Sequence, residues 1–274
     1  MVVGMIAVQY GGTSSLPTGP IAPGFVATGG AVVASDRLSG VNFNPAEAVF
    51  LRGLELALVS FPRTGLRGFS IVGSTGHSLA FVGGLWSYSA SNLIDQEVVE
   101  QDPTLANLTV STTAVSIGSA VHFQSLAFGL AATARADNVL GNTSASASWT
   151  VGMRYERSVF GLGMSVINLP FSTHSFPSSE RAVILGASIK SDPRRPLGGQ
   201  VEANAVWLHD DRTHHVLISP HMHYGPLDVV AGYNTKNGWS GGFGLSYGAW
   251  RFEAATNFVG GERLDERLAF SLTF

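Results

Sequence analysis

The sequence predicts an all-β chain that closes into an antiparallel barrel and crosses a membrane through its strands. Three observations carry this expectation. From about residue 53 onward the apolar residues recur at every second position, which is the period of a strand, and helical spacing disappears. The alternating segments run to about 10–13 residues, near the ~9–11 that a tilted strand needs to cross hydrocarbon and longer than most globular strands. Aromatic residues gather near the ends of the apolar face, at Trp149, Tyr155, Tyr224, Trp239, Tyr247 and Trp250, as an interfacial girdle would.

Composition agrees. Only 13% of residues are charged, about half the usual share for soluble domains. Glycine is abundant, at 33 of 274 residues, and mean hydropathy is +0.22, which disfavours disorder. No run approaches about 18 uninterrupted apolar residues, so a transmembrane helix is not expected. A membrane would then have to be met by a closed barrel or at its surface. The absence of cysteine excludes disulfides, thiolate metal sites and a cysteine nucleophile. Net charge is −3 and no Lys/Arg cluster offers a footprint for nucleic acid.

The chain opens on an apolar run, Met1 to Val8, without the basic start of an export signal. Residues 9–24 are rich in Gly, Pro, Ser and Thr and read as loop. Next come Gly29-Gly30-Ala31-Val32-Val33-Ala34-Ser35-Asp36 and Asn42-Phe43-Asn44-Pro45-Ala46-Glu47. In the second run Asn44 reads as a helix cap and Pro45 as the first helical position. Strands are expected at 53–61, 66–74, 77–89, 106–120, 124–136, 144–156, 158–168, 180–190, 197–209, 213–223, 226–234, 238–248, 250–259 and 264–274. This gives about 14 strands, with 12 as the alternative count. Connections after strands 2, 4, 6, 10 and 12 are short, and the long ones (90–105 and 169–179) follow odd strands. Short turns at one end and longer loops at the other are the habit of outer-membrane barrels.

The last strand is the clearest. Leu264, Leu268, Phe270, Leu272 and Phe274 share one face, with Glu266 as the exception, and Asp265, Arg267, Ala269, Ser271 and Thr273 share the other. A charge at the middle of the outer face, such as Phe270→Arg, is expected to cost about 2–4 kcal/mol. On the opposite faces of the late strands Gly, Ala and Ser predominate, which leaves room in a lumen. The domain division is therefore 1–52, an N-terminal segment able to plug that lumen, and 53–274, the barrel.

The run from Gly29 to Asp36 followed by Asn44-Pro45-Ala46 resembles the GGAxxAxxD…NPA signature that opens barrels of the FadL superfamily, and is closer to the PorV/PorQ branch. The resemblance rests on residues 25–50 by motif and on the remainder by architecture. It implies a 14-stranded barrel with a hatch in the lumen, carried here by Gly29, Gly30, Asp36, Asn44, Pro45 and Ala46. Leu268, Phe270, Leu272 and Phe274 resemble the signal read by the barrel assembly machinery. The chain departs from the family in its shortness. Its outer loops leave little room for a hydrophobic binding groove or for holding cargo.

Two clusters carry candidate chemistry. Five of the eight histidines lie between His209 and His223, and His215, His221 and His223 share the inner face of one strand. Histidines at i and i+2 can share a metal, whereas a polar lumen needs none. Glu202, Arg251, Glu253, Asp265 and Arg267 face inward, with Arg251 and Arg267 expected opposite Glu253 and Asp265 as a ladder of ion pairs. The functional alternative is a selectivity lining. No Gly-x-Ser-x-Gly elbow or singled-out carboxylate pair indicates an enzyme.

The sequence thus predicts a non-enzymatic barrel of the bacterial outer membrane with no cofactor. Its expected partners are the lipid bilayer, the barrel assembly machinery and other envelope proteins. The first reading is a PorV-like subunit or anchor of an envelope assembly, related to protein secretion. The alternative is a FadL-like passive channel for small hydrophobic compounds.

Overall fold

The computed structural model describes residues 38–61, 66–91, 109–139, 142–171, 181–191, 197–208, 213–235, 238–259 and 262–273. Two 3-10 helical turns, Leu38–Asn42 and Pro45–Val49, precede the strands. The strands are β1 (Arg52–Phe61), β2 (Leu66–Thr75), β3 (Leu79–Ser91), β4 (Thr109–Phe123), β5 (Leu126–Val139), β6 (Asn142–Arg157) and β7 (Phe160–Pro170), then β8 (Ala182–Lys190), β9 (Leu197–Leu208), β10 (Thr213–Tyr224), β11 (Leu227–Asn234), β12 (Gly238–Tyr247), β13 (Trp250–Val259) and β14 (Glu262–Thr273).

Each strand pairs antiparallel with its sequence neighbour, and β1 pairs with β14, so the sheet is a closed barrel. The closing register sets Leu58 opposite Phe270 and Leu56 opposite Leu272. Closure removes the free edges that a strand sheet would otherwise present. Among the described residues no helix is long and apolar enough to cross a membrane.

Alternation decides which side chain faces where. In β11, Leu227, Val229 and Tyr233 are exposed on the outside, whereas Asp228, Val230 and Asn234 are buried inside. Between the ends of the barrel the described outward side chains carry no charge; Leu58, Phe81, Ile117, Leu130, Val201, Val229 and Phe270 are among them. Exposed aromatics form two belts. Tyr224, Tyr247 and Trp250 lie at the short-turn end, and Trp207, Tyr233 and Trp239 at the other. Trp239 and Tyr247 are separated along β12 by roughly 26 Å, or ~20 Å once the strand tilts by 35–45°.

The turn chemistry explains the main shift in boundaries. The expected break between 120 and 124 falls later, at Gln124-Ser125, because β4 and β5 pair without interruption from Val110–Val139 to Phe123–Leu126. Gln124 takes a left-handed φ of 58° and Ser158 one of 52° in the β6–β7 turn. Neither residue type announces such a turn. The β10–β11 and β12–β13 turns use Gly225 and Gly248 for the same conformation, without a steric penalty. The helix expected at Pro45 is a 3-10 turn of five residues.

Candidate functional site in the lumen

The inner wall holds the segment from Leu38 to Leu51. The second turn packs on β4, β5 and β6 near the short-turn end, with smaller contacts to β2 and β3, and the first packs on β1 and β2. The local sequence dictates the shape. The Asn44 side chain accepts from the Ala46 amide at 3.2 Å and donates to the Met153 carbonyl at 3.2 Å, so one residue caps the turn and fastens it to β6. The Ser74 hydroxyl donates to the Ala48 carbonyl at 2.7 Å, and Ser116 donates to the Asn42 side-chain oxygen at 2.6 Å. Ser165 of β7 donates to the Phe43 carbonyl.

Glycines in the wall make this approach possible. A Cβ on Gly129 would overlap the Pro45-Ala46 peptide, and one on Gly152 would overlap the Asn44 side chain. Leu38, Val41, Ala46, Ala48 and Val49 form one apolar cluster with Val72, Ala80, Val82, Ala120 and Ala127 of the wall.

One charge in the segment is wholly enclosed. Glu47 pairs with Arg154 of β6 at 3.2 Å, both side chains at 0% exposure. Arg154 also pairs with Glu156, and Glu156 with Lys190 at 2.8 Å. The Arg154 guanidinium lies 5.1 Å from the centre of the Phe50 ring. A buried cation held by carboxylates and an aromatic face avoids the desolvation penalty of an isolated charge.

The wall formed by β10–β13 carries a second group. Arg251 contacts Asp228 at 2.8 Å and Glu253 at 2.7 Å, and His221 contacts the other Asp228 oxygen at 3.1 Å. Here His221 and Arg251 keep 24% and 27% side-chain exposure. This arrangement corrects the expected ladder. Arg251 lies opposite Ser271, and Arg267 and Asp265 opposite Ala255 and Asn257. Arg251 therefore pairs along its own strand and across to β11. The sequence could not supply the β13–β14 register that decides this.

The remaining expected positions are placed as follows. Asn44, Pro45 and Ala46 lie on the wall as described, whereas Gly29, Gly30 and Asp36 fall outside the described residues. Glu202 is buried beside Asn204, whose amide donates to it at 3.3 Å. Leu268 and Phe270 are exposed outward and Leu272 is half-buried. Phe274 and the side chains of Asp265 and Arg267 are not among those described. No metal is assigned from the sequence, and the candidates His215, His221 and His223 are placed as follows. Among the described residues no three His, Asp or Glu side chains are grouped to hold an ion. The His221 and His223 rings are 6.3 Å apart, His221 engages Asp228, and His223 packs over Gly198.

Sequence reasoning singled out neither Glu47, Arg154 nor Asp228, and overlooked Trp86 and Tyr88, the buried aromatics among the described strand residues. The signal for Arg154 was present: strand parity sets it on the inner face two residues beyond Gly152.

No family model matches the chain, and no curated protein matches it. Solved structures do. The CymD monoaromatic hydrocarbon channel superposes with a TM-score of 0.60 at 11% identity, over 93% of this chain and 96% of that one. A triple mutant of the Rhodopseudomonas blastica porin gives a TM-score of 0.41 at 9% identity, over 81% of this chain and 98% of the porin. The likeness to the hydrocarbon channel is one of fold: an antiparallel β-barrel of matching extent.

Proposed function

We propose that this chain is a non-enzymatic channel of the bacterial outer membrane for small hydrophobic compounds, with residues 38–51 serving as its internal hatch. The observation that carries the reading is an exterior whose described side chains are uncharged between the ends of the barrel, together with a chain segment fastened inside it. An outward face of Leu, Ile, Val and Phe between two aromatic belts suits hydrocarbon, and a closed sheet leaves no backbone group unpaired there. The hatch sits on one wall and is tied to it by side-chain bonds rather than by strand pairing, so it can be displaced without breaking the barrel. The similarity of fold to the CymD monoaromatic hydrocarbon channel supports the same reading.

The order of the two expectations drawn from the sequence is thereby reversed. A PorV-like subunit rests on the Asn44-Pro45-Ala46 motif, and the fold comparison supports the channel ahead of it. The test is uptake. Cells displaying the full chain in the outer membrane should take up labelled toluene several-fold faster than cells lacking it. Unchanged uptake by folded, membrane-inserted protein, together with stoichiometric recovery of a partner in mild detergent, would overturn the channel in favour of the subunit.

A further inference from the structure

Water reaches the two sides of the lumen unequally. At the short-turn end of β2–β5 the inward side chains Ser74, Ala80, Ala120 and Ala127 are buried against residues 38–51. At the same end of β6–β13 the inward side chains are polar and touch solvent. Glu156 keeps 21% side-chain exposure, Lys190 14%, His221 24% and Arg251 27%. Gln200 and Ser246, which strand parity also sets on the inner face, are half-buried.

Register joins these groups into one band. Lys190 lies opposite Gln200, and Gln200 opposite His221, which carries the band across β8, β9 and β10. His221 and Arg251 then meet on Asp228, and Ser246 lies opposite Arg251. Arg251 reaches over β12 because Gly244 stands opposite both Asp228 and Glu253; a Cβ there would come within 3.1 Å of the guanidinium. The cations of the band are matched by carboxylates, Lys190 by Glu156 and Arg251 by Asp228 and Glu253. Toward the long-loop end the same side turns apolar. Ile167, Val206 and Leu208 pack around Ala182 and Ile184 on the inner face, and those first three stay half-buried. On β3, across the lumen, Ala80, Val82, Gly84, Trp86 and Tyr88 are all buried.

We propose that a small neutral apolar compound leaves the lumen through this wet half of the short-turn end, bounded by Gln200, His221, Ser246 and Arg251, while residues 38–51 stay in place. Displacing the segment would break the sealed Glu47–Arg154 pair and strand a buried charge. Passage on the uncovered side leaves that pair intact. Passage also requires that a compound be held well enough to enter and weakly enough to leave. The apolar patch at the long-loop end meets the first need. The polar band at the short-turn end offers little apolar surface and meets the second. The proposal rests on the channel reading and names its exit.

The chain has no cysteine, so introduced thiols report without background. The test uses the full chain displayed in the outer membrane, with labelled toluene as the probe. Asn42→Cys with Ser116→Cys, closed by a short bifunctional thiol reagent, fastens the segment to β4 where the native side chains meet at 2.6 Å. Toluene uptake should be unchanged by that lock. Ser246→Cys should react with a water-soluble methanethiosulfonate, and Ala127→Cys, under the segment, about tenfold more slowly, because a thiol must be reached to react. A bulky adduct placed on Ser246→Cys after folding should remove most of the uptake, and reductant should restore it. A lock that stops uptake, an unreactive Ser246→Cys or a bulky adduct without effect would each overturn this exit. An unaltered chain that brings no toluene in overturns the channel and the exit together, so the two failures are told apart. Heat-modifiable gel mobility identifies a variant that fails to fold. Gln200→Cys then replaces Ser246→Cys, and Ala48→Cys with Ser74→Cys replaces the lock.

Discussion

The two sides of the lumen carry the same kinds of charge in different surroundings. On the β3–β6 side Glu47 of the 38–51 segment and Arg154 of the wall are sealed between the two at 0% exposure. On the β10–β13 side His221, Asp228, Arg251 and Glu253 make contacts of equal quality, yet Arg251 keeps 27% exposure. The hydrogen-bond distances alone would rank the two groups alike. Solvation separates them. Breaking a sealed pair strands a charge away from water, whereas a partly exposed one is rescued by it.

The largest effect should therefore come from Arg154→Ala, which leaves Glu47 buried without its cation. We expect a loss of about 3–5 kcal/mol in urea unfolding from lipid vesicles, or release of the hatch. Limited proteolysis within residues 38–51 distinguishes those two results. Replacing both partners, Glu47→Leu with Arg154→Met, should cost far less than the single change. If the double variant is as unstable as Arg154→Ala, the sealed pair is not what holds this side together.

Gly129→Val comes next. Its side chain would displace the Pro45-Ala46 peptide, an overpacking cost of about 1–3 kcal/mol. Protease sensitivity of the hatch should rise while the barrel stays resistant. A hatch that remains protected would place its attachment elsewhere than on this wall.

Arg251→Ala should cost less than Arg154→Ala, about 1–3 kcal/mol, because it uncovers Asp228 and Glu253 at 11% and 7% side-chain exposure but leaves Asp228 its contact to His221. A loss comparable to that of Arg154→Ala would erase the contrast between the two sides. The smallest effect serves as a control outside both walls. Gln124→Gly relieves a left-handed residue in a short turn and should stabilise by about 0.5 kcal/mol without changing hatch protection.

Some of this was legible in the residues and some was not. The strand positions followed from period-two alternation, since one face meets an apolar phase and the other does not. Asn44 and Pro45 declared a capped turn through chemistry local to four residues. The β4–β5 boundary was misplaced because Gln124-Ser125 holds neither Gly nor Pro, and Gln124 takes a left-handed φ that its residue type does not announce. Trp86 and Tyr88 were overlooked because aromatics on alternate positions read equally well as an outer girdle. Only the neighbouring strands decide which face is inside.

What the sequence by itself determined is the period, the small inner faces and the capped segment ahead of the first strand, because each depends on neighbours within one strand or turn. The tertiary structure alone decided the partners of the lumenal charges. Arg154 meets Glu47 across 107 positions of chain, and Arg251 meets Asp228 rather than the residues of β14. Those pairings depend on barrel register and on which wall the 38–51 segment occupies. Both are set by closure of the whole sheet, which no local pattern encodes.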